Sequence, residues 1–211
     1  MKQLEKLSQL KNLSYFDTQT IGQITGLRDQ QLINTISRWM KQNELINLKR
    51  GLYTTESYYN KHAANHIEYS EYISNKLRYP SYLSLEYVLS RYQILSESVF
   101  SFTAITVKST RNYTNRIGQF IYRSISEKLF SGYSIQEGEK YDRAIASKSK
   151  ALFDYLYLKL YHIKNITPLI VNEMRLNLDS FGQLEKEEFG RYCALSEIEK
   201  FIKLPKMLFT E

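Results

Sequence analysis

The chain has 211 residues, 43% of them apolar and 24% charged, with a formal net charge of +7; that is enough for one large domain or two small ones. Three prolines and eight glycines are too few for a collagen-like or disordered chain, and the single cysteine, Cys193, excludes an internal disulfide. The basic excess fits a polyanionic partner and is spread along the chain, +3 over residues 1–56 and +4 over residues 57–211.

The opening MKQLEKLSQLKNLSYF has no continuous apolar stretch of the kind a secretory signal needs. No run of 18 apolar residues occurs anywhere, so a cytoplasmic protein without a membrane span is expected. Leu4, Leu7, Leu10 and Leu13 repeat at helical spacing and predict a first amphipathic helix. Asp17 or Thr18 can cap a second helix with Ile21, Ile24 and Leu27 turned inward, and Gly26 can end it in the left-handed conformation. A third helix is expected from about Arg28 to Asn43, with Leu32, Ile33, Ile36, Trp39 and Met40 inward. Its other face carries Gln30, Gln31, Asn34, Thr35, Arg38, Lys41 and Gln42. A two-strand ribbon follows, 44–48 and 51–54, with Lys49 and Arg50 at its tip.

Helix, turn, longer helix and ribbon in this order predict a winged helix-turn-helix over 1–56, whose third helix enters the DNA major groove. Gln30, Gln31, Asn34, Thr35 and Arg38 are then candidates for base edges. Lys41, Lys49 and Arg50 are candidates for phosphates. A solvated helix face and an ordinary basic turn are the plainer alternatives for these two features.

Residues 57–211 predict a mixed α+β domain. A helix is expected over 60–78, broken by Pro80, and another over SLEYVLSRYQILS capped by Ser81 or Ser84. Strands are expected over 99–109 and 117–126, separated by a turn at 111–115, and a hairpin around Glu137-Gly138-Glu139. A strong helix is expected over 147–163 and another over 185–203; residues 167–183 are ambiguous. The 18 tyrosines suit rings packed inward with hydroxyls at the surface.

Several fragments of this second part resemble the AbiEi family of antitoxins. They are Ser84, Leu85 and Tyr87 to Leu89; Thr110 and Arg111; Gly118, Phe120 and Tyr122; Gly132 and Tyr133; and Ala146, Lys150, Ala151, Leu152 and Asp154. The resemblance spans most of 15–165. It implies a winged-helix domain before an antitoxin domain, in a bacterial type IV toxin–antitoxin pair that serves phage defence. The partner would be a nucleotidyltransferase-like toxin, countered without a stable complex. The antitoxin would repress its own operon at inverted repeats, with two copies per site. The alternative is a stand-alone winged-helix regulator whose second domain senses a ligand or dimerises.

Other chemistry is weaker. Glu137, Glu139 and Asp142 near Lys148 and Lys150 faintly suggest a metal-dependent nuclease, against a solvated acidic turn. His62 and His66 stand four apart without a third ligand. Cys193 reads as a packing residue, and Asp154 as a partner for Lys150 one turn earlier. Neither catalysis, metal nor cofactor is expected. Lys108, Arg111, Arg116 and Arg123 form an acid-free basic stretch that is a second polyanion surface, the antitoxin surface or a charged loop.

Overall fold

The computed structural model describes residues 2–209, with side chains from Lys6 onward. The side chain of Leu4, expected on the inner face of the first helix, therefore lies outside those described. The fold is mixed α+β in two compact units, Met1–Ser70 with Tyr113–Gly118, and Glu71–Asn112 with Gln119–Glu211.

The first unit begins with α1 (Lys2–Leu10), β1 (Phe16–Asp17), α2 (Thr18–Thr25) and α3 (Asp29–Lys41). The ribbon β2 (Leu45–Lys49) and β3 (Leu52–Thr55) follows, then α4 (Glu56–Lys61). Asp17 caps α2, its Oδ1 accepting from the Thr20 amide at 2.7 Å and the Thr20 hydroxyl at 2.9 Å. These bonds, led by the amide, hold its carboxyl below the usual range. Gly26 ends α2 at φ 68°, with its N–H donating to the Gly22 carbonyl at 2.8 Å. A Cβ there would meet nothing within 4 Å, so the requirement for glycine is conformational. Leu7, Leu10, Ile21, Ile36 and Trp39 share one core with Phe16, Leu45 and Tyr53 of the small sheet. That sheet runs β1-β3-β2, antiparallel throughout, with Phe16 opposite Tyr53 and Leu45 opposite Thr55. At two residues, β1 is too short to leave a periodic signal.

The helix expected over 60–78 is interrupted. A 3-10 turn at Ala63–Asn65 separates α4 from α5 (His66–Leu77). Tyr59 stacks on His66 with ring centroids 3.9 Å apart, and its carbonyl lies 2.9 Å from His66 Nε2. This local pairing folds the two segments together where unbroken periodicity would have run straight on.

The second unit holds β4 (Ser81–Leu83), α6 (Leu85–Arg91), β5 (Ser101–Thr106), the start of β6 (Arg111–Asn115), all but the first residue of β7 (Gly118–Ser124), β8 (Tyr133–Gln136) and β9 (Arg143–Ala146); the rest of β6 belongs to the first unit. The helices α7 (Lys148–Leu160), α8 (Pro168–Glu173), α9 (Gln183–Leu195), α10 (Glu199–Ile202) and α11 (Leu204–Phe209) complete it. The sheet order is β6-β7-β5-β4-β9-β8, with β5/β7 and β4/β9 parallel and β4/β5 and β8/β9 antiparallel. Residues 111–115, expected as a turn, are therefore a strand. Residues 81–83, expected at a helix start, form another. Asn75 of α5 joins the sheet by accepting from the Ala144 amide at 2.8 Å. Helix α7 packs between α6 and α9, and Leu152, Phe153 and Leu156 meet Tyr82, Ile105, Phe189 and Phe201 in the main core.

Candidate nucleic-acid interface

The outward face of α3 is built by helical period alone. Ile36 and Trp39 are buried, and Gln30, Gln31, Asn34, Arg38 and Lys41 are exposed on the opposite side. Gln30 Nε2 donates to Asn34 Oδ1 at 2.9 Å, so two of the amides are aligned across one turn before any ligand arrives. The only acid within the helix is Asp29, in its first turn. Thirteen residues give a helix about 20 Å long, a dimension that suits a major groove.

Two expectations for this helix need correction. Thr35 is only 6% exposed, flanking Ile36 and Trp39, so it faces the core and offers no side chain to a partner. Ile33, expected inward, is 57% exposed, because the 100° step from Leu32 carries it past the apolar stripe.

The ribbon turn lies at Arg50-Gly51. Arg50 is exposed and Lys49 half-exposed. Gly51 has φ 78°, and its carbonyl accepts from the Thr18 amide at 3.2 Å, tying the tip to the start of α2. An irregular register between Asn47 and Lys49 bends β2 just before the tip. The Asn115 Nδ2 donates to the Leu48 carbonyl at 2.9 Å, and its Oδ1 accepts from the Ile117 amide at 2.8 Å. This asparagine thus braces β2 one residue before Lys49, a role no sequence period announces.

The second basic stretch is divided. Arg116 belongs to the first unit, where its guanidinium pairs with Glu56 at 2.6 Å. Lys108, Arg111 and Arg123 belong to the second unit, and all three are exposed. Arg123 also lines an open groove of about 680 Å³ whose walls include Glu86, Phe100, Ile121, Leu158 and Lys159. Phe100, expected within the 99–109 strand, lies in the loop before β5, and neither a single aromatic there nor a lysine at a helix end carries a pattern that marks a site.

The remaining chemical candidates are placed elsewhere. Glu137, Glu139 and Asp142 are exposed in and beside the β8–β9 turn. Lys148 instead binds Glu185 at 3.2 Å and the Ser180 carbonyl at 2.6 Å. Lys150 and Asp154 are fully buried, with Nζ 2.5 Å from Oδ1. Tyr82 and Ser84 donate to the other carboxylate oxygen at 3.0 and 2.8 Å. Burial pushes the Asp154 carboxyl upward, against the opposing pull of Lys150 and the two hydroxyls. The Lys150 ammonium also lies over the rings of Phe153, Tyr192 and Tyr82, at 4.8, 5.3 and 5.9 Å. Gly132 closes this nest: at φ 75° it has no room for a Cβ, which would fall 2.2 Å from the Tyr192 hydroxyl.

His66 engages Tyr59, while His62 meets the Tyr58 ring edge-on at 4.5 Å. Among the described residues no group of three or more His, Cys, Asp or Glu side chains is arranged to hold a metal. Burial pushes the Cys193 thiol up to about 12, consistent with a packing role. Among the described residues no helix is long and apolar enough to cross a membrane.

No protein-family model matches the chain, and no curated protein is similar to it.

Proposed function

We propose that the chain is a DNA-binding antitoxin and autorepressor of AbiEi type, in which the first unit is a winged helix-turn-helix. The observation that carries this reading is the outward face of α3, where Gln30, Gln31, Asn34, Arg38 and Lys41 stand exposed, in a unit whose ribbon turn also exposes Arg50. Gln and Asn amides match adenine in the major groove and Arg matches guanine; Lys41, Lys49 and Arg50 suit phosphates. The order of elements in the first unit, three helices and then a ribbon with β1 added to it, supports the same assignment.

Under this reading the chain works in the cytoplasm, without catalysis or cofactor. It binds inverted-repeat operators as two copies and counters a nucleotidyltransferase-like toxin without a stable complex. The partner toxin and the phage-defence setting rest on the sequence resemblance alone. A second reading, a stand-alone regulator that senses a ligand, draws on the groove of the second unit. A toxin reading frame beside this one favours the first reading, and its absence the second.

The test is an electrophoretic mobility shift with the DNA upstream of the gene. A Gln31→Ala, Arg38→Ala double variant loses at least tenfold in affinity with no change in helical content. Unchanged affinity removes α3 as the reading helix. Arg50→Ala weakens binding to all sequences and lowers the salt slope by about one unit.

A further inference from the structure

We propose that the groove of the second unit is a binding site for a nucleoside monophosphate, either free or as one nucleotide of a single strand. This inference holds under either reading of the first unit, since neither DNA binding nor antitoxin activity enters it.

The groove measures about 680 Å³, within the range of small-molecule sites of roughly 300–1,000 Å³. The register of the sheet explains its wall. Strands β5 and β7 run parallel with Ser101 opposite Gln119, Thr103 opposite Ile121 and Ile105 opposite Arg123, so Gln119, Ile121 and Arg123 point the same way. Helix α7 supplies Tyr155, Leu158 and Lys159. The floor is thus partly apolar, and two cations stand in the same lining. Lys159 lies over the Tyr155 ring with Nζ 4.9 Å from its centre, and no acid is paired with it or with Arg123 among the described residues. Hydroxyls of Ser98, Ser101 and Ser124 add donors. Cations with several hydroxyls suit a phosphate group.

The rest of the lining selects among phosphates. Phe100 is 91% exposed, an unusual cost for so large an apolar ring, and it lines the groove. A flat ring open to solvent is a stacking platform, and a base presents a matching face. Glu86, the one acid in the lining, is an acceptor for the exocyclic amino or imino hydrogens of a base. A bare phosphate or an aliphatic acid uses neither group.

The experiment is a calorimetric titration of the full chain with the four ribonucleoside 5′-monophosphates, with inorganic phosphate, and with a five-nucleotide single strand too short to form a duplex. At least one monophosphate, or the strand, binds with a Kd below 1 mM on the order expected for so open a site, and at least tenfold tighter than phosphate. Arg123→Gln and Phe100→Ala each weaken it at least fivefold with Tm unchanged; Lys159→Met does the same should Arg123→Gln lower Tm. Lys108→Gln, an exposed cation outside the lining, leaves it intact. Tight binding of the strand alone, with the same dependence on Phe100 and Arg123, assigns the nucleotide to a polymer. Binding that phosphate matches, that ignores Phe100, or that Lys108→Gln weakens equally overturns the proposal, as does silence from every probe. Loss of operator binding in the α3 variants leaves this titration untouched, so the two readings fail separately.

Discussion

Helices α3 and α7 are both 13 residues long, and both carry charged and polar side chains, yet they place them oppositely. The polar residues of α3 face solvent, apart from the inward Thr35, and its apolar stripe faces one small core. Helix α7 is enclosed by α6, α9 and the sheet and is apolar nearly all round, with Lys150 and Asp154 inside. A polar group at the surface is available to a partner; one in the core must find its partner within the fold. The same side-chain types are thus open to a partner in one helix and committed to architecture in the other.

The largest expected effect tests the architectural side. Asp154→Ala leaves the Lys150 ammonium in the core with only aromatic faces and costs about 3–5 kcal/mol, read as a lower urea midpoint. Replacing both ions, Lys150→Met with Asp154→Leu, recovers at least half of that loss, because no buried charge is then left alone. A double variant as damaged as the single one shows that the pair itself, and not relief of an orphaned charge, holds β4 to α7.

The next effect tests the other helix. Asn34→Ala and Lys41→Ala each change unfolding stability by less than about 0.5 kcal/mol, as exposed sites do. Asn34→Ala weakens operator binding by about 1–3 kcal/mol at one base pair. Lys41→Ala weakens all DNA sequences alike. Stability lost with affinity retained reverses the roles assigned to the two helices.

The contrast also explains what was legible in the sequence. The α3 face follows one period, so Ile36 and Trp39 inside and Gln31 and Arg38 outside were readable, as were the Asp17 cap and the Gly26 stop. Thr35 and Ile33 sit at the borders of the apolar stripe, where side-chain type points one way and angular position the other. Strands β1 and β4 are too short to show alternation, and β6, RNYTN, has the composition of a turn but gains its neighbour from β7. The Lys150–Asp154 spacing was visible; its burial was not, because Tyr82, Ser84, Gly132 and Tyr192 reach it from distant positions. Ser84, Gly132, Lys150 and Asp154, which carry part of the family resemblance, meet in this nest. That convergence marks those fragments as architectural. The groove was invisible for the same reason: Phe100, Arg123 and Lys159 come from a loop, a strand and a helix, brought together only by the β5–β7 register.

The smallest effect lies where surface and architecture meet, at Asp17. Its carboxylate is exposed, yet it acts structurally by accepting two bonds from Thr20 at the start of α2. Its folded pKa lies below the ordinary 3.8. The stabilisation is therefore present above about pH 4 and is lost as pH falls through that value toward the folded one. Asp17→Ala costs about 1 kcal/mol at pH 7, and the gap to the parent chain narrows below pH 4. Asp17→Asn keeps an acceptor in the capping position, so it retains most of the stability at pH 7 and shows no such narrowing. Denaturation curves at pH 7 and pH 3 separate the three chains. A gap between parent and Asp17→Ala that is as wide at pH 3 as at pH 7 shows that packing around β1, and not the ionised cap, holds the entry to the helix pair.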